Sequence, residues 1–165
     1  MNFEESWAIG NGATLKLRRI RSMDRSQLER LISQMSARDR RWRFHGAVNG
    51  LTSARLHSMV NPGPRTLAIV ATVDDELVAD VRCADDSTGA AAEFALMVAA
   101  GWRRRGVALH CIDAICRASA SAGWQWLHGT VLNDNTPMLS LMRHAGFFCV
   151  PSRTDPEMHV VERRL

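Results

Sequence analysis

The chain has 165 residues, 46% of them hydrophobic, which is enough to enclose one core and short for two. Its net charge of +4 is patchy, running +7 over residues 1–70, −6 over 71–100 and +3 over 101–165. There is no long basic arm of the kind that tethers nucleic acid, and the longest apolar run, "FALMVAA", is too short to cross a bilayer.

Taken in order, the acidic amino terminus "MNFEESWAIG" lacks the apolar stretch of a secretory leader. "ATLKLRRI" alternates at Leu15 and Leu17 and predicts a first strand. Asp24 with Gln27 offers a capping box, and Leu28, Leu31, Ile32 and Met35 recur at helical spacing. A polar, arginine-rich segment, "SARDRRWRFHGAV", follows. Thr52 then reads as the N-cap of a short helix that ends at "NPGP". "RTLAIVATV" and "ELVADVRCA" flank the polar turn "DDE" and predict a hairpin. "AAAEFALMV" predicts a further strand, in which Glu93 is the only charge. Residues 107–122 carry apolar side chains at helical spacing with no breaker before Gly123. "WQWLHGTVL" reads as a strand, "NTPMLSLMRHAG" as a helix with Pro137 in its first turn, "FFCV" as a strand start, and "EMHVVERRL" as a last, edge strand.

Mixed β and α elements without strict alternation predict one α+β (mixed α/β) domain over 1–165. Cys83, Cys111, Cys116 and Cys149 form no CxxC pair and no Cys/His spacing that suits zinc, so no metal is expected. Reduced thiols and the missing leader predict a soluble, cytoplasmic protein with no membrane partner.

The stretch "GWRRRGVALH" joins the Glu93 strand to the long helix. The first turn of a helix leaves its amide donors unpaired and carries about half a positive charge, so such a junction is suited to hold a phosphate. Gly106 and Ala108 would let a pyrophosphate approach the backbone, and Arg103, Arg104 and Arg105 add cationic donors at an end where a helix dipole disfavours them. The competing explanation is a solvated surface triplet. A Walker loop and a Rossmann fingerprint are both absent.

Arg103, Gly106 and Ala108 resemble the Gln/Arg-x-x-Gly-x-Gly/Ala signature of the GNAT superfamily of acyl-CoA-dependent N-acyltransferases. Asn135, Gly146 and Phe147 resemble its second block, and the likeness covers roughly residues 13–150. It implies a mostly antiparallel mixed sheet, flanked by helices, whose central strands splay apart to admit a pantetheine arm. Ser36, Arg43 and Phe44, with "AEFALMV", are similar to segments of the Pat-like protein lysine acetyltransferases, in which the strand glutamate is the general base; that position is Glu93 here. The resemblance further implies that Met97 and Val98 pair with pantetheine, that the amide near Val98 polarises the thioester, that amides from Arg104 through Gly106 and Val107 to Ala108 hold the pyrophosphate, and that Asn135 contacts pantetheine. Acetyl-CoA is the implied cosubstrate, and a primary amine or protein lysine the acceptor. A homodimer is among the assemblies it allows.

An amine with a pKa of about 10.4 is almost wholly protonated at pH 7, so a base is useful, and a carboxylate inside an apolar strand should be raised in pKa. The other reading of Glu93 is a pairing to an arginine across the sheet. Asn135 also suits an ordinary N-cap. The chain contains no tyrosine, and Met142 stands where many of these enzymes carry a tyrosine acid. Cys149, His144 or water is left to serve the leaving thiolate. The missing tyrosine also suggests an inactive acyl-CoA-binding sensor. A nucleic-acid-binding domain built on residues 18–43 is weaker, because aromatic side chains there are confined to Trp42 and Phe44. The acidic residues Asp74, Asp75, Glu76, Asp85 and Asp86 are either solvated turns or a device for steering a cationic acceptor.

Overall fold

In the computed structural model, which describes residues 3–45 and 51–165, eight strands form one sheet. Strands β1 (Glu4–Ile9) and β2 (Ala13–Arg19) lead into helices α1 (Arg25–Ser33), α2 (Ala37–Phe44) and α3 (Ser53–Val60). Strands β3 (Thr66–Val73), β4 (Glu76–Asp85) and β5 (Ala91–Val98) follow. Helix α4 (Val107–Ser121), β6 (Trp126–Leu132), α5 (Thr136–His144), β7 (Phe148–Pro151) and β8 (Met158–Arg164) complete the chain. The order across the sheet is β1-β2-β3-β4-β5-β6-β8-β7, antiparallel throughout except where β6 runs parallel to β5. A parallel step needs a crossover, and α4 supplies it.

The central strands are buried on both faces, which explains why β3 reads as a continuous apolar run. On one face Val81, Cys83 and Phe94 pack against Val107, Cys111, Ile112 and Ile115 of α4. On the other, Ala68, Val70 and Met97 pack against Leu28, Leu31 and Ile32 of α1 and Leu56, Met59 and Val60 of α3. Each fully buried aliphatic side chain of this kind contributes about 1.5–3 kcal/mol. The β3–β4 turn places Asp74 and Asp75 at φ 49° and 63°, the consecutive left-handed pair that a two-residue hairpin demands. Among the described residues no helix is long and apolar enough to cross a membrane.

Two expectations change, and two elements go beyond them. β1 was not foreseen, because its apolar residues are few and it borders solvent. The last strand is interior, lying between β6 and β7, and the edge is β7, where Phe148 and Val150 are exposed. Asp24 and Gln27 form no capping box: Asp24 pairs with Arg18 at 2.7 Å through both oxygens, and Gln27 accepts from the Leu77 amide at 2.7 Å, pinning the β3–β4 turn onto α1. The arginine-rich segment is helical over α2, capped by the Ser36 hydroxyl accepting from the Asp39 amide; its end at residues 46–48 lies outside the described residues.

Candidate active site

β5 and β6 pair only over Ala91–Trp126, Ala92–Leu127 and Glu93–His128, and then part. Phe94 enforces the separation: its ring lies over Gly129, where an added Cβ would stand 3.1 Å from the ring and 3.3 Å from the Phe94 carbonyl. β5 continues to Val98, paired on its other side with β4. Because the Ala99 amide donates to the Val78 carbonyl at 2.8 Å, odd-numbered residues of β5 face β4 with their amides and even-numbered ones face the gap. The Leu96 and Val98 amides therefore point into the gap, whereas Met97 turns its backbone to Asp80 of β4 and its buried side chain to the α1–α3 core.

The gap opens into a cleft of about 740 Å³ that reaches Gly106 and Ala108 at the start of α4. Gly106 caps this helix with φ 83° and no side-chain bond to the first turn, which also contains no acidic residue. The amides of Val107 and Ala108 are thus left for an anion. The Val107 side chain itself is core. The three arginines differ. Arg103 donates to the Val98 carbonyl at 3.3 Å and pairs with Asp39 at 3.1 Å, Arg104 is held at φ 59°, and Arg105 stacks on Trp102 at 5.1 Å. Burial would raise the Asp39 carboxyl, but Arg103 and the Ser36 hydroxyl outweigh it and hold the group below its ordinary value. Asn135 caps α5, accepting from the Met138 amide at 3.3 Å, and also lines the cleft.

Glu93 lines the same cleft on the face shared with Ala84 of β4 and His128 of β6. It is exposed rather than enclosed, because its flanking residues on that face, Ala91 and Ala95, are small. The arginine pairing expected as its other explanation is not formed: among the described residues Glu93 has no ion-pair partner, and Arg82 turns to the fully buried Asp80 at 2.9 and 2.5 Å. Helix α2 walls this side. Arg41 and Trp42 both bond Asp134 beyond β6, at 2.8 and 3.0 Å, and His45 faces the Thr130 hydroxyl at 3.4 Å.

The substitutes for a tyrosine acid are elsewhere. Met142 is fully buried in the core, His144 is exposed on α5, and Cys149 sits on β7; none of the three lines the cleft. Burial raises the Cys149 thiol further from usefulness. The acidic residues of the two turns also lie away from the cleft walls; Asp85 and Asp86 cap their own turn at Ser87 and Thr88. Sequence reasoning passed over Asp80 and Arg82. Two charges two residues apart in an apolar strand fall on one face, and that was the available signal.

The sheet thus parts beside an open helix start, and an unpaired carboxylate lines the cleft between them. The Acetyltransferase (GNAT) family matches over residues 30–147, and the chain belongs to that family. Its fold is that of the GNAT domain of S. lividans PAT, with a TM-score of 0.90 at 22% identity over 98% of this chain and 97% of that one. Arabidopsis thaliana NAA60, solved with a bisubstrate analogue, superposes with a TM-score of 0.70 at 17% identity, covering 91% and 97% of the two chains. RimL, a ribosomal L7/L12 alpha-N-protein acetyltransferase solved with coenzyme A, gives 0.71 at 12% identity over 92% and 94%.

Proposed function

We propose that the protein transfers an acetyl group from acetyl-CoA directly to a primary amine, of a small molecule or a protein lysine, with Glu93 as general base. The observation that carries this reading is the unpaired Glu93 carboxylate in the cleft that also holds the gap-facing Val98 amide and the open first turn of α4. These features fit the cosubstrate: small residues at Gly106 and Ala108 leave room for a pyrophosphate against the Val107 and Ala108 amides, with Arg104 and Arg105 beside it, and Asn135 lines the pantetheine path with the gap-facing Val98, whereas Met97, turned to β4 and the core, supports that strand from behind. Acetyl-CoA supplies an activated thioester.

Glu93 takes a proton from the ammonium, and the freed nitrogen attacks the thioester carbon while the Val98 amide donates to the developing oxyanion. The C–S bond then breaks, and the second proton of the attacking nitrogen passes through water to the departing thiolate, leaving a neutral amide and a free thiol; a thiol with an ordinary pKa of about 8.5 needs no strong acid. An exposed Glu93 suits a cleft that dries when both substrates enter. The test is Glu93→Gln. Calorimetry should show acetyl-CoA affinity unchanged, while amine-dependent release of CoA falls at least tenfold, within the roughly 10²- to 10⁴-fold worth of a positioned base. Undiminished release would remove Glu93 from the role, and binding without release to any amine would favour a sensor.

A further inference from the structure

The acceptor half of the cleft contains more positive charge than its carboxylates balance. Arg43 of α2 and Arg55 of α3 stand over the same Phe44 ring, their guanidinium carbons 4.9 and 5.3 Å from its centre. Arg82 approaches from the β4 floor, but its charge is spent on Asp80. Neither Arg43 nor Arg55 has a carboxylate partner among the described residues. Arg43 is the more demanding case. Its Nε is sealed from solvent with no acceptor among the described residues, and burial pulls the guanidinium down to about 10. A buried donor left unpaired costs about 1–3 kcal/mol, more when charged, and two like charges sharing one aromatic ring add to that cost. Both costs are recovered when a carboxylate enters, because a guanidinium fork matches it in plane and in charge.

We infer that Arg43 and Arg55 form a carboxylate subsite, so that one substrate of the transfer carries a carboxylate beyond its reacting centre. This deepens the acetyl-transfer reading and rests on it. The placement of the subsite assigns that carboxylate to the amine. Glu93 lies on the same open face of the sheet, two residue pairs beyond the Arg82–Ala95 pair, and meets a cationic nitrogen while the arginines meet an anion. The acceptor class is then an amino acid or a lysine with an acidic neighbour, and polycationic amines are disfavoured.

The test compares free lysine with cadaverine, which is lysine without its carboxylate, on the wild type, Arg55→Gln and Arg43→Lys. Arg55 is exposed, so its replacement does not threaten the fold. The ratio of kcat/KM for lysine over cadaverine should exceed tenfold in the wild type and fall at least tenfold in Arg55→Gln. Titration with Nε-acetyllysine and N-acetylcadaverine gives a readout independent of turnover, and only the first should weaken in the variants. Acetylation of both amines at equal kcat/KM, with Nε-acetyllysine bound equally by all three proteins, would overturn the subsite and leave acetyl transfer standing. No transfer to either amine, with arginine-dependent binding of Nε-acetyllysine, would keep the subsite and sink the transfer. Replacing acetyl-CoA with succinyl-CoA separates the sources: if the variants lose only succinyl transfer, the subsite stands and its carboxylate belongs to the acyl chain.

Discussion

Asp39 of α2 and Arg103 of the loop before α4 are joined by a 3.1 Å ion pair, so the first arginine of the basic triplet ties one wall of the cleft to the approach to α4. The same guanidinium holds the Val98 carbonyl, which closes one side of the gap.

That relationship predicts a coupled pair. Asp39→Ala and Arg103→Ala should each destabilise the protein, and the double variant should lose less than the sum. Arg103 keeps much of its side chain in solvent, so the coupling should be modest, about 0.5–1 kcal/mol. Urea unfolding of the four proteins measures it. Arg104→Ala should add independently, and strict additivity of Asp39 and Arg103 would show that the contact carries no energy.

Val98→Pro deletes one amide that no β4 carbonyl uses, because even-numbered residues of β5 face the gap. Proline is tolerated where a strand's N–H has no ladder partner. Folding should survive with Tm shifted by only a few degrees, while transfer falls about 10²- to 10³-fold, the usual worth of one oxyanion donor. Full activity in a folded Val98→Pro protein would place the oxyanion elsewhere.

Gly129→Ala should strain the point where the strands part. The new methyl meets the Phe94 ring at 3.1 Å and its backbone carbonyl at 3.3 Å, and only the ring can yield. We expect a loss of about 1–3 kcal/mol in urea unfolding, as for other overpacked sites, with weaker acetyl-CoA binding as Phe94 is pushed toward the gap.

Acid stability should depend on Asp24. Burial opposes its charge, but Arg18 at 2.7 Å and the Arg21 amide at 2.7 Å outweigh that and hold the carboxyl below its ordinary value. A carboxyl lowered on folding adds stability above its unfolded pKa of about 4, and the gain disappears as pH falls through the folded value. Asp24→Asn should therefore cost about 2 kcal/mol at pH 7, and the gap from wild type should narrow below pH 4. An equal gap at pH 7 and pH 3 would assign the loss to packing instead.

How far the site was legible follows from chain distance. Strands β2 to β6, helix α4 and the N-caps at Thr52 and Asn135 were readable because period and capping are local. The junction between β5 and α4 was readable for the same reason. The division of labour among Arg103, Arg104 and Arg105 was not, since it depends on Asp39 and Trp102 reaching them from outside the motif. Glu93 stood out as a lone charge, yet its exposure depends on how far β6 diverges, which no window of sequence records. The Asp80–Arg82 pair went unread because each charge looked like a solvated residue, while in the sheet both turn inward beneath α3. β8 was misplaced at the edge because insertion between β6 and β7 is a property of topology rather than of its own residues.

The indole of Trp42, bonded to Asp134 across the cleft, has an optical consequence. The chain has five tryptophans and no tyrosine, so its near-ultraviolet emission comes from indole alone. Trp42 lines the cleft, and Trp102 lies under Arg105 in the loop before α4. Two of the five emitters thus stand at the two ends of the proposed site, and the unlabelled protein is its own fluorescent reporter for ligand binding there.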